Sequence, residues 1–141
     1  MNTSLVQGLA RLGIFRDYAT EDLQRIVQTL ESVNFREGQR IIHKGQENTS
    51  FYIVIEGEAA VYVDDDERGV LGRGSYFGEI SALLGEPATA DILTRTPLVC
   101  LVVPANELAA FFISNPRLMF RVLQTEARRL QTSDARLSAN R

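Results

Sequence analysis

The chain has 141 residues and a mass of 15.7 kDa, room for one domain around a single sizeable core, which excludes multidomain readings. Apolar residues at 45% and charged residues at 23% are ordinary for a globular protein, so neither disorder nor a fibrous repeat is expected. Fifteen basic against eighteen acidic residues leave −3, which argues against a general nucleic-acid binder, and a single cysteine and a single histidine exclude a disulfide scaffold and a His-rich metal centre.

The N-terminal stretch MNTSLVQGLARLG lacks the basic start, apolar run and small-residue cleavage site of a signal peptide. No apolar run approaches the ~18 residues of a membrane span, so the sequence reads as a soluble cytoplasmic protein. Leu5, Leu9 and Leu12 keep helical spacing, Gly13 interrupts, and Ile14 and Phe15 form an apolar plug. Thr20 as cap, Glu21 and Asp22 in the first turn, then Leu23, Ile26, Val27 and Leu30 predict a helix from about 20 to 31.

From Ser32 the period becomes two, and turn residues recur about every ten positions: Glu37-Gly38, Lys44 to Gln46, Glu56-Gly57, Asp64 to Gly69, Gly72 to Gly74, Gly85 to Pro87 and Thr96-Pro97. The runs between them, FYIVIEG, AAVYVD, ADILT and LVCLVV, are β-branched and aromatic, the pattern of a sandwich or barrel of short strands. Pro104 ends this region, Ala105 to Ile113 reads as a short helix, and Asn115 as cap with Pro116 in the first helical position opens a longer one to about Leu137. Phe120, Leu123, Ala127, Leu130, Asp134 and Leu137 step by three and four, a coiled-coil seam with one polar interruption. This helical tail carries six arginines against Glu126 and Asp134, so residues 116–141 stand at +4 and the remainder at −7.

The segment richest in chemistry is residues 72–92, GRGSYFGEISALLGEPATADI. A dinucleotide loop would require glycine at Phe77 and a βαβ unit, and neither is present. Gly78-Glu79 leading into Ile80 to Leu84 instead predicts one helical turn inserted between strands, with N–H groups suited to a phosphate and Glu79 placed to accept from a sugar hydroxyl.

The order of a helical start, the turn Gly38 to Ile41, GxxxxxFYIVIEGEAAVY, YFGEISALLGEPATADI and a long final helix resembles the cyclic nucleotide-binding domain family, and more closely the sensor half of bacterial Crp/Fnr-type regulators. The resemblance covers essentially the whole chain. It implies a mainly β fold with flanking helices, an eight-stranded jelly roll (double-stranded β-helix) at residues 32–103 between N-terminal helices (1–31) and C-terminal helices (104–141). It also implies a ligand site: Phe77 opens the motif, Gly78 lets the backbone approach the ligand, Glu79 accepts from the ribose 2′-OH, Ile80 and Ala82 line the cassette, and Ala82 lends an N–H. After the proline the family carries an arginine that clamps the cyclic phosphate, a small residue and an alanine. Here Ala88, Thr89 and Ala90 stand there, so the arginine is absent, while Thr89 matches the position that contacts the phosphate.

A bidentate arginine–phosphate pair is the charged part of such recognition, and weak binding of cyclic AMP or cyclic GMP, or another small anionic ligand, is therefore expected. Arg95 lies ~23 Å along an extended strand from Ala88 and Arg73 precedes the cassette, so both are poor substitutes. Three readings follow: a ligand sensor that signals through its C-terminal helix, a degenerate jelly-roll scaffold acting through dimerisation or protein contacts, and the sensor fragment of a Crp/Fnr-type transcription regulator. The seam Phe120, Leu123, Ala127, Leu130 and Leu137 predicts a homodimer. With no recognition helix before Arg141, direct DNA binding by this chain is not expected. No metal or cofactor is called for, and no enzymatic role: Ser75 and Ser81 have no histidine partner at hand. Asp64 to Glu67 reads as a solvated hairpin turn, His43 as a surface or half-buried residue of a strand from Arg40 to Lys44, and Cys100 as a buried apolar side chain.

Overall fold

A computed structural model describes the backbone of residues 3–139 and the side chains of residues 4–132. Its contacts divide the chain into two compact units, one up to Ala109 and one from Ala110 onward.

The first unit begins with helix α1 (Thr3–Ala10), a 3₁₀ turn (Gly13–Phe15) and helix α2 (Thr20–Thr29). Leu9, Leu12, Phe15, Leu23 and Ile26 are all buried, which accounts for the apolar spacing of this segment. Ala19, not Thr20, caps α2: its carbonyl accepts from the N–H groups of Asp22 and Leu23, and no side chain caps the helix. The helix stops at Thr29, short of the expected residue 31, because strand pairing begins at Glu31.

Eight strands follow: β1 (Glu31–Phe35), β2 (Arg40–Ile42), β3 (Phe51–Glu56), β4 (Ala59–Val63), β5 (Asp66–Leu71), β6 (Tyr76–Phe77), β7 (Asp91–Thr94) and β8 (Leu98–Val103), with helix α3 (Glu79–Leu84) between β6 and β7. They form two four-stranded antiparallel sheets, ordered β1-β8-β3-β6 and β2-β7-β4-β5. This is the eight-stranded antiparallel sandwich with flanking helices that the jelly-roll expectation describes. Ile42, Val54, Ala59, Phe77, Ile92, Leu98 and Cys100, drawn from both sheets, make one buried cluster. The inward positions of alternating strands meet there, which is the physical origin of the period-two pattern.

Two strand boundaries differ from expectation. The turn at Asp64 to Gly69 is shorter than its composition suggests: only Asp64 and Asp65 turn, both with positive φ, and Asp66 and Glu67 already pair with Val63 and Tyr62. Aspartate tolerates the left-handed region, and two such residues in succession match the twist of a tight hairpin. Strand β2 ends at Ile42, so exposed His43 lies beyond it, its N–H donating to Gln46 Oε1 at 3.1 Å.

A second 3₁₀ turn (Ala105–Glu107) and helix α4 (Leu108–Ser114) replace the single helix expected at 105–113, and α4 runs across the boundary between the units. In the second unit, helix α5 (Pro116–Ala139) starts where Pro116 predicts. The Asn115 carbonyl accepts from Met119 N–H at 3.0 Å, but the Asn115 amide donates backward to the Phe111 carbonyl at 2.9 Å, so this side chain finishes α4 while its carbonyl begins α5. Leu118 and Val122 are buried. Phe120, Leu123 and Leu130 are 58%, 61% and 64% exposed, and Ala127 on the same face is exposed as well. The side chains of Asp134 and Leu137, which complete the seam, lie outside the described residues.

Candidate functional site

Strand β6 delivers the chain to Gly78, which turns it with φ 83° and ψ 0° into α3. A Cβ there would run into the carbonyl oxygen of Ser50, so only glycine fits. The six residues of α3 are too few to hold a helix by themselves in water. Their shape comes from neighbours. The Gly78 carbonyl accepts from Ala82 N–H at 3.2 Å and from Thr49 Oγ1 at 2.9 Å, and Gly85, also left-handed, closes the helix by donating to the Ser81 carbonyl at 2.9 Å. Glu79, the first helical residue, is only 5% exposed, a buried carboxyl held one residue from the glycine turn.

The segment after α3 is tied to the β2–β3 loop. Ala88 N–H donates to the Gln46 carbonyl at 2.8 Å and the Ala88 carbonyl accepts from Gly45 N–H at 2.7 Å, so both main-chain groups of Ala88 are engaged. Lys44 N–H donates to Asp91 Oδ1 at 2.8 Å, fixing the loop to the start of β7. The half-buried Ala88 methyl packs against the core cluster.

The residues singled out from sequence therefore take different places. Glu79, Ala82, Ala88 and Ala90 are buried or half-buried, whereas Ile80 and Thr89 are exposed. Phe77 belongs to the core cluster, stacked on Tyr52 with ring centroids 4.8 Å apart. Burial raises the Tyr52 pKa, helped by neighbouring Cys100 and opposed by a hydrogen bond with Ser50.

Lys44 and Arg95 are committed elsewhere. Lys44 Nζ donates to Asp64 Oδ1 at 2.8 Å, and that hydrogen bond raises the lysine pKa and lowers that of the aspartate. Arg95 faces Glu67 at 3.8 Å, and Arg73 is exposed on the turn between β5 and β6. Among the described residues no three His, Cys, Asp or Glu side chains gather as a metal centre would require.

Sequence reasoning missed Thr49 and Ser50, and weighed Ser81 only as a nucleophile. No local spacing signals that Thr49 folds back on a residue 29 positions later; only the sheet topology brings them together.

Residues 32–115 match the family described as the cyclic nucleotide-binding domain. The chain belongs to that family. Over 101 residues the domain is 36% identical to a cGMP-dependent protein kinase of Plasmodium berghei (strain Anka), an alignment that takes in 72% of this chain and 12% of the kinase. The chain thus spans about an eighth of that relative's length. Among solved structures, the domain resembles the Thermus thermophilus catabolite activator protein with a TM-score of 0.77 at 22% identity, covering 89% of this chain and 61% of that one. It also resembles the Sp-2Cl-cAMPS-bound domain described as PKAR CBD2, with a TM-score of 0.72 at 22% identity over 95% and 87% of the two chains. A third likeness is the N-terminal domain of a transcriptional regulator from Streptomyces coelicolor A3(2), with a TM-score of 0.67 at 22% identity over 91% and 95%. At these identities the structural likenesses establish the fold of the domain. No helix among the described residues is long and apolar enough to cross a membrane.

Proposed function

We propose that the domain is a non-catalytic cytoplasmic sensor that takes cyclic AMP or cyclic GMP weakly at α3 and passes occupancy on through its C-terminal helix, without touching DNA itself. The observation that carries this reading is Glu79, a carboxyl buried at the first residue of a short helix entered from a left-handed glycine. A carboxylate so placed accepts from a sugar hydroxyl. A relative named as a cGMP-dependent kinase and a fold neighbour bound to a cyclic AMP analogue support the ligand class.

Weak binding follows from Ala88. Where the family resemblance implies an arginine, a methyl group packs on the core, and losing one partner of a desolvated charge pair costs ~2–5 kcal/mol, roughly a 30-fold to several-thousand-fold loss of affinity. The same observation favours a second reading, a jelly-roll scaffold that works through protein contacts. The exposed Phe120, Leu123, Ala127 and Leu130 support a homodimer in either reading. We propose as a further alternative that the domain is the sensor fragment of a bacterial Crp/Fnr-type transcription regulator.

Titration calorimetry separates the two. Wild-type protein should bind cyclic AMP or cyclic GMP weakly, and Ala88→Arg should tighten binding about ten- to 150-fold by adding a charge-assisted contact worth ~1.5–3 kcal/mol. Glu79→Ala in that background should weaken it again. A well-folded Ala88→Arg protein that binds neither nucleotide sinks the sensor reading and leaves the scaffold.

A further inference from the structure

Thr49 stands one residue before Ser50 and two before β3, a strand hydrogen-bonded on both sides within its sheet. It is 2% exposed and reaches both ends of the first turn of α3. Its hydroxyl donates to the Gly78 carbonyl at 2.9 Å, and its backbone N–H donates to Ser81 Oγ, itself buried, at the longer distance of 3.4 Å. Glu79 lies between these two attachment points. Ser50 closes the remaining freedom, because its carbonyl oxygen sits where a Gly78 side chain would begin.

From this geometry we infer that Thr49 is a positioning residue for the ligand site: it fixes the direction in which Glu79 leaves the turn by bracing Gly78 and Ser81 against β3. The inference rests on the proposed reading of α3 as the ligand-binding turn. A helix this short has no cooperative length to resist fraying, so its first turn is as rigid as the groups that hold it. Removing the hydroxyl leaves the Gly78 carbonyl with the Ala82 bond alone. The carbonyl stays satisfied, so the fold survives, but the turn gains freedom that ligand binding must then remove.

The substitution Thr49→Val keeps volume and branching while deleting the hydroxyl, and Thr49→Ser restores it. Titration calorimetry with cyclic AMP and cyclic GMP should show about five- to tenfold weaker binding for Thr49→Val and wild-type binding within about twofold for Thr49→Ser. Amide hydrogen exchange at Ala82 should be faster in Thr49→Val, with exchange in β3 and β8 unchanged, a pattern that general destabilisation does not produce. If Thr49→Val fails to fold, Ser81→Ala, which removes the acceptor of the Thr49 amide, takes its place in the same comparison. A folded variant that binds as tightly as wild type overturns the inference and leaves the sensor reading standing. Wild-type protein that takes up neither nucleotide overturns the sensor reading, and the inference with it.

Discussion

The ring of Tyr52 lies flat on that of Phe77, with centroids 4.8 Å apart and planes 14° from parallel. The two residues are also cross-strand partners of β3 and β6, so the stack clamps the strand whose last residue precedes Gly78. Deleting one ring removes both buried area and the offset contact. Phe77→Ala should cost ~3–5 kcal/mol in urea denaturation, whereas Tyr52→Phe, which keeps the stack, should cost under about 1.5 kcal/mol.

Gly78 and Gly85 bracket α3 and share the left-handed region, yet their surroundings differ. A side chain at Gly78 meets the Ser50 carbonyl, and one at Gly85 meets nothing within 4 Å. Gly85→Ala should therefore cost only the backbone penalty, ~1–2 kcal/mol. Gly78→Ala should cost more than that and abolish nucleotide binding. Thermal melts of the two single variants check the order, and equal losses would contradict the close approach.

Burial pushes the Cys100 thiol up to about 12 from an ordinary 9.0. A folded-state pKa above the unfolded value contributes stability that is complete below pH 9 and is lost as pH rises toward 12, with a slope of ~1.4 kcal/mol per pH unit. Cys100→Ala should flatten this alkaline fall in stability. The native thiol should also resist a thiol-reactive chromophore at neutral pH and react only as the protein unfolds.

On α5 the exposed Phe120, Leu123, Ala127 and Leu130 form an apolar stripe on the side opposite buried Leu118 and Val122. Leu123→Glu or Leu130→Glu places a charge in that stripe and should move a dimer toward monomer in sedimentation equilibrium. Wild-type protein that stays monomeric at high concentration would show that the stripe serves something else.

The jelly roll was legible because its turns carry chemistry of their own. Gly38, Gly45, Gly57, Gly74, Gly78 and Gly85 all have positive φ, and the runs FYIVIE, AAVYV, DILT and LVCLVV alternate or are largely apolar. Strand β5 escaped notice because its charged sequence, DERGVL, faces mostly solvent and shows no apolar alternation. The place of Glu79 at the head of a short helix was legible from its motif, one residue after a glycine and before an apolar helical turn. Thr49 was not, since its role depends on a contact across the fold that leaves no periodic trace, and Thr20 was misread as a cap because propensity alone does not decide which carbonyl accepts the first helical bond.

The sheet order governs how the protein comes into being. Among the described residues, 31–35 of β1 pair only with 98–102 of β8, and β2 waits for β7 at 91–94. During synthesis the sheet β2-β7-β4-β5 cannot be complete before residue 94, nor the sheet β1-β8-β3-β6 before residue 103, and Phe51, Ile53 and Val54, fully buried at the end, lack their β8 partner on the nascent polypeptide until then. Such distant pairings make folding slow, on the order of milliseconds to seconds for sheets of this type, and they make those hydrophobic strands the natural targets of a ribosome-bound chaperone.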